Sequence, residues 1–216
     1  MQITIKHNFP AVQKQLDNLQ KDIARQATAS ALNKTIAQAK TAMSREIRDE
    51  FNISAAKVNE SLSITRASAS GGELRMQASL QSPRKRGRSL NLINFMEKSV
   101  SMAQARKRIK AGEGGTYQLQ GRSMQKMLEL RFKIKRKGPA KVVKGAFIGN
   151  KGRTVFMREG KSRLPIKALQ TIDVASMFNT KRVNAKVVQM MMDKFPTIFD
   201  HEAKFFTSKF NASKAA

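Results

Sequence analysis

No cysteine and no tryptophan occur in this chain, and tyrosine occurs once. Without cysteine there can be no disulfide and no thiolate metal site, and nothing marks an oxidising compartment. The two histidines, His7 and His201, lie near opposite ends and have no metal-type spacing to a second ligand, so no metal and no cofactor is predicted. With so few aromatic stacking groups, a single-strand nucleic-acid platform is unsupported. No zinc-finger or helix-turn-helix pattern offers base readout either. No apolar run approaches the roughly eighteen residues that a membrane span needs. The opening Met1-Gln2-Ile3-Thr4-Ile5-Lys6 alternates like a strand and lacks the apolar block of a signal peptide. The expectation is a protein made in a reducing cytoplasm and leaving it only inside a particle.

Acidic residues are also scarce: 15 Asp and Glu face 42 Lys and Arg, a formal charge of +27. Residues 83–163 hold 23 of the basic and 4 of the acidic residues, a net +19, and the flanks share the other +8. A compact chain with that excess repels itself, and an anionic partner relieves the repulsion. Duplex DNA, RNA, a membrane surface and an acidic protein surface all qualify; the plainest alternative is a solvated basic face. The apolar share of 40% is enough for a real core, and the length suits a single α+β domain over residues 1–216.

Periodicity predicts a helix over residues 9–51. Val12, Leu16, Leu19 and Ile23 form its seam, which continues through Ala27, Ala31, Ile36, Met43 and Ile47. Asn8 is placed to cap it, with Pro10 in the first turn. At about 1.5 Å per residue this is a rod of roughly 60 Å, too long for one small core. Either it bends or its small centre, Ala27-Thr28-Ala29-Ser30-Ala31, packs on a neighbouring subunit; packing within its own chain is the plainer alternative.

A short helix follows near residues 54–61, and then the period falls to two. Leu62 and Ile64, with Leu74, Met76, Ala78 and Leu80, flank Gly71-Gly72 as a hairpin. Residues 83–127 read as basic and loop-rich, with a helix over 100–110 and a glycine-rich loop at 112–121. Leu128, Leu130, Phe132 and Ile134 alternate with Glu129, Arg131, Lys133 and Lys135, a strand with one apolar and one cationic face. Residues 142–148 and 154–158 add strands around a turn at Asn150-Lys151-Gly152. A C-terminal helix over 180–210 buries Val183, Val187, Met190, Met191 and Phe195, and Pro196 is expected to kink or break it. The fold class is α+β: a long N-terminal helix, an antiparallel sheet of four to five strands and a kinked C-terminal helix.

Chemistry-bearing patterns are few. Gly149-Asn150-Lys151-Gly152-Arg153-Thr154 lacks the spacing and the Gly-Lys-Ser/Thr ending of a phosphate loop, so it reads as a hairpin turn. No Gly-x-Ser-x-Gly elbow is present. No catalytic residue is assigned, and the chain is read as a non-enzyme. The basic groups carry more. Arg84, Lys85, Arg86 and Arg88 sit on a loop, while Arg131, Lys133 and Lys135 repeat about 7 Å apart on one strand face, followed by Arg136 and Lys137. Phosphates at such spacings neutralise them through backbone contacts that carry no sequence specificity.

One stretch is the most distinctive. Phe147-Ile148 and Phe156-Met157-Arg158 precede Gly160-Lys161-Ser162-Arg163-Leu164-Pro165-Ile166, and Ala31-Leu32-Asn33-Lys34-Thr35 and Arg86-Gly87-Arg88-Ser89-Leu90 stand earlier. In these motifs, and over nearly its whole length, the chain resembles the minor tail protein Z family of long-tailed bacteriophages and their prophages. The resemblance implies a structural virion protein, assembled in the bacterial cytoplasm, that completes the tail and helps join it to the head. It implies a homo-oligomeric ring, a hexamer by analogy with related connector folds, through which duplex DNA passes. Its partners would be connector, tail-terminator or tail-tube proteins, with no membrane and no small-molecule substrate. Within the distinctive stretch, Lys161, Arg163, Leu164, Pro165 and Ile166 are expected to dock on a neighbouring protein: Pro165 restricts its own φ and biases Leu164 to an extended form. A connection packed on its own core is the alternative there. A free nucleoid or RNA-chaperone protein is the alternative function.

Overall fold

Residues 21–50 contain neither proline nor glycine and are rich in alanine, the best helix former. In the structure, a computed structural model that describes residues 2–5, 21–69, 75–83, 89–96, 130–143 and 145–215, they form helix α1 (Lys21–Glu50). Expected features at 9–20, 71–72, 84–88, 100–110 and 112–121 lie outside the described residues. The predicted seam from Ile23 through Ala27, Ala31, Ile36, Met43 and Ile47 is buried throughout. Thr35 and Ala39 complete it as a row in which every fourth residue is buried. Buried hydroxyls are satisfied locally: Thr28 and Thr35 donate to the carbonyls of Ala24 and Ala31, at 2.7 and 2.8 Å. Ala27, Thr28, Ala29 and Ala31 are buried within this one chain, so the small centre of the helix packs inside its own fold.

The chain divides into two compact units. The first comprises Met1–Ile47, Ala55–Lys85 and Val174–Ala216. It holds most of α1, the short helix α2 (Ala55–Glu60), and strands β1 (Gln2–Ile5), β2 (Ser63–Thr65) and β3 (Ala78–Gln81) in the antiparallel order β1-β3-β2. Pairing of Ile64 with Leu80 bears out the hairpin read from the period-two pattern. Helices α3 (Val174–Phe178) and α4 (Lys181–Ala215) complete the unit. On α4, Val183, Val187, Met191, Phe195 and Phe199 form a buried row at intervals of four. Met190 is half-buried beside them. The helix runs unbroken through Pro196, whose missing N–H removes a single backbone bond.

Two polar ties fix the pairing of α1 with α4 as antiparallel. Glu46 of α1 takes Lys186 at 2.8 Å, and Glu202 takes Lys34 and Ser30. Glu202 is a carboxylate with 3% of its surface exposed. Burial pushes its pKa up, but hydrogen bonds from Lys34, Ser30 and His201 outweigh this and hold it below the ordinary 4.5. Asn33 adds a third tie within the unit. Its amide donates to the Ala67 carbonyl at 3.0 Å and accepts from the Ala67 N–H at 2.8 Å, replacing a strand neighbour. The Ala31-Leu32-Asn33-Lys34-Thr35 motif is therefore structural at each position.

The second unit comprises Arg48–Ser54 and Arg86–Asp173. It contains β4 (Leu90–Asn91), a 3-10 turn (Leu92–Phe95), β5 (Leu130–Phe132), β6 (Lys141–Val143), β7 (Ala146–Gly149), β8 (Thr154–Arg158), β9 (Ile166–Ala168) and β10 (Gln170–Thr171). The strands are too short to build the single sheet expected from sequence. Among the described residues they form three small antiparallel sheets here: β10-β4, β5-β6 and β7-β8-β9. Phe132 and Val155 centre the core, with Leu92, Ile93, Met96, Val143, Ala146, Ile148 and Leu169 around them.

Candidate partner-docking surface

The three-stranded sheet β7-β8-β9 is a meander with two unlike faces. Register pairs Ile148 with Val155 and Phe147 with Phe156, while Phe156 also pairs with Ala168 and Arg158 with Ile166. Side chains alternate along each strand. Val155, Ile148, Ala146 and Leu169 therefore face the core, and Phe147, Phe156, Ala168, Arg158 and Ile166 share the other face. On that face the two phenylalanine rings stack with centroids 6.0 Å apart. The Arg158 guanidinium sits 5.2 Å from the Phe147 centroid, a cation–π contact. Gly149 leaves space beside them: a Cβ there would lie 3.0 Å from two atoms of the Phe156 ring, which would have to give by a few tenths of an ångström.

At one end of β8 the predicted turn is present. Asn150, Lys151 and Gly152 all have positive φ, at 50°, 53° and 84°, which asparagine and glycine tolerate best. At the other end, residues 159–165 return the chain to β9. The segment leads directly into a strand, because Ile166 pairs with Arg158. The loop is braced from inside. Arg158 donates through Nη1 to the Arg163 carbonyl at 2.8 Å and the Ser162 carbonyl at 3.4 Å, and Glu159 N–H donates to the Pro165 carbonyl at 3.3 Å.

Lys161, Arg163, Leu164, Pro165, Ile166 and Lys167 are all exposed. Leu164 is 67% and Ile166 40% exposed, two large apolar side chains in a segment that also carries the exposed Arg158, Lys161 and Arg163 and one acid, Glu159. The alternative of a connection packed on its own core does not fit those exposures.

The second predicted cluster is partly rearranged. Extended backbone continues past β5, but its partners change: Lys133 N–H donates to the Phe95 carbonyl at 2.8 Å, and Lys135 bridges Phe51. Arg131 and Lys133 are half-buried, whereas Lys135, Arg136 and Lys137 are exposed. Arg136 also has local work. Its N–H donates at 2.8 Å to the Glu50 carbonyl, one of the acceptors left over at the end of α1, and its guanidinium lies 3.8 Å from Asp49. Arg84, Lys85, Arg86 and Arg88 lie outside the described residues.

Sequence reasoning gave no role to Arg158 or Asn91. The Asn91 amide accepts from Val155 N–H at 2.8 Å and donates to the Val155 carbonyl at 3.1 Å, and it also accepts from Ile93 N–H at 3.1 Å. It fills the ladder of β8 where the chain leaves β9 for β10, the strand that pairs with β4. The Phe-x-Arg element of the motif hinted at Arg158; for Asn91 the sequence carries no local signal.

Among known families, the model of prophage minor tail protein Z matches residues 9–207. No curated protein and no solved structure gives a significant match.

Proposed function

The chain belongs to the prophage minor tail protein Z family, and we propose that it acts within the phage tail as a docking subunit that helps complete the tail and join it to the head. The family is one of structural tail proteins, and this sets aside a free nucleoid or RNA-chaperone role. The observation that carries docking is the rim loop of the β7-β8-β9 sheet, with Leu164 67% exposed on a loop that also exposes Lys161 and Arg163. A scattered exposed leucine needs no explanation. This one stands on an internally braced loop beside a second exposed aliphatic, Ile166. Burying such a side chain in a partner is worth about 1.5–3 kcal/mol, and a loop already shaped spends less of that on ordering.

In this reading the neighbour is another tail or neck protein, and copies of the chain close into a ring, a hexamer in the simplest case. Arg131, Lys133, Lys135, Arg136 and Lys137, with Arg84, Lys85, Arg86 and Arg88, contact passing duplex DNA through its phosphates. Assembly takes place in the host cytoplasm. Among the described residues no helix is long and apolar enough to cross a membrane.

The test is composition and salt dependence together. Purified tails should carry the chain at a fixed ratio to the tail-tube subunit after nuclease digestion. If the chain instead leaves with the digested DNA, docking is wrong. DNA affinity should fall with salt at a log–log slope of about −5 for six phosphate contacts. Substituting glutamine at Lys133, Lys135 and Lys137 should flatten that slope; an unchanged slope rejects the DNA-facing assignment.

A further inference from the structure

Arg158, although exposed, is held by contacts within its own sheet and loop. Its guanidinium lies over the Phe147 ring and donates to the carbonyls of Ser162 and Arg163. Those carbonyls belong to the residues just before Leu164. A planar guanidinium can donate to two acceptors and stack on a ring at once, which a lysine ammonium cannot reproduce. With the Glu159 N–H bond to the Pro165 carbonyl closing the base, the loop backbone is tied at three carbonyls. Leu164, the next residue after those two carbonyls, is 67% exposed. The Phe147–Phe156 stack sets the height of the guanidinium, and Gly149 leaves room for the stack.

We infer that Arg158 is the positioning residue of the docking loop, and that the loop fits a protein pocket of one kind: an apolar notch deep enough for Leu164, ringed by carboxylates. This rests on the docking reading above. The notch follows from Leu164 and Ile166, which phosphate backbones do not accommodate. The carboxylates follow from Lys161 and Arg163, exposed on the same loop as Leu164, with Glu159 the one acid in that loop. Charge complementarity of this sort sets register and excludes wrong partners.

The experiment adds the purified full-length chain, wild type or variant, to tails assembled without it and measures the amount that sediments with them. Leu164→Asp tests the docking reading itself. Arg158→Met keeps an unbranched stem over Phe147 but loses the bonds to both carbonyls, and Arg158→Lys keeps the charge as well. Both Arg158 variants should bind about ten-fold or more weakly, equivalent to roughly 1.4 kcal/mol, with a melting temperature like that of wild type. Trypsin should cut them faster after Lys161 and Arg163, a change that a general loss of stability would spread over the whole chain.

If Leu164→Asp is lost from tails while both Arg158 variants bind normally, docking stands and the positioning role is overturned. Weak binding by the Arg158 variants with unchanged trypsin cleavage means that Arg158 touches the partner itself, which also overturns the role. Normal binding by all three variants removes the docking reading. Replacing both Lys161 and Arg163 by glutamine should weaken binding and reduce its salt dependence; unaltered binding contradicts the carboxylate ring. Loss of wild-type binding after nuclease treatment of the tails would assign the loop to DNA and defeat the proposed pocket.

Discussion

Replacing Asn91 by alanine should destabilise the sheet that carries the docking loop far more than its place in a two-residue strand suggests. The change removes three hydrogen bonds. Val155 has 0% of its surface exposed, so no solvent replaces the Asn91 oxygen on its N–H, and an unmet buried donor costs about 1–3 kcal/mol. The Val155 carbonyl still accepts from Leu169 N–H at 2.9 Å, so the lost donor there adds little. Ile93 N–H loses its cap, worth about 0.5–2 kcal/mol. The sum is about 1.5–5 kcal/mol, and at about 2–4 °C per kcal/mol for a protein of this size the midpoint falls by roughly 3–20 °C. Thermal unfolding followed by circular dichroism measures it. Because two compact units need not melt together, amide exchange at Val155 and Ile93 should be followed alongside. A midpoint within about 1 °C of wild type, with protection retained at Val155, would show that Asn91 does not hold the sheet.

Two further outcomes concern stability. Glu202 titrates lower in the folded chain than its ordinary 4.5, so its stabilising contribution is complete above pH 4.5 and is lost as pH falls through the lower folded value. Glu202→Gln should cost about 1–3 kcal/mol at neutral pH, at the low end because Lys34 is half-exposed. The gap in melting temperature between it and wild type should narrow as pH drops below 4.5; a gap that stays constant contradicts this. Gly149→Ala should cost about 1–3 kcal/mol by forcing the Phe156 ring aside, and urea unfolding midpoints equal to wild type would show that the ring moves freely.

The features legible in the sequence were those set by local period and turn chemistry. Ile23 through Ile47 advertised the buried side of α1, and Asn150-Lys151-Gly152 advertised the hairpin because residues tolerant of positive φ stood between two apolar pairs. The C-terminal row Val183, Val187, Met191 and Phe195 was equally plain. Other features depend on groups distant in sequence meeting in space. Asn91 serves Val155 across 64 residues, and Glu202 receives Ser30 across 172. Neither has a neighbour pattern that could announce it. The sheets fragment because strands of two to five residues change partners, as the chain does between β9 and β10; alternation shows which residues face together but not which strand lies alongside. Of the site, the cations and the Leu-Pro-Ile step could be read directly. The brace beneath them could not, since Arg158 looks like any other strand-end cation.

Docking through the rim loop is tested most directly by reversing one charge on it. The Arg163 side chain is exposed, and only its backbone carbonyl takes part in the brace described here, so Arg163→Glu leaves the fold intact while placing a carboxylate against the partner's carboxylates. The expected variant is soluble, keeps the wild-type melting temperature and is absent from purified tails. A variant that enters tails at the wild-type ratio, or one that unfolds, would contradict docking through the loop.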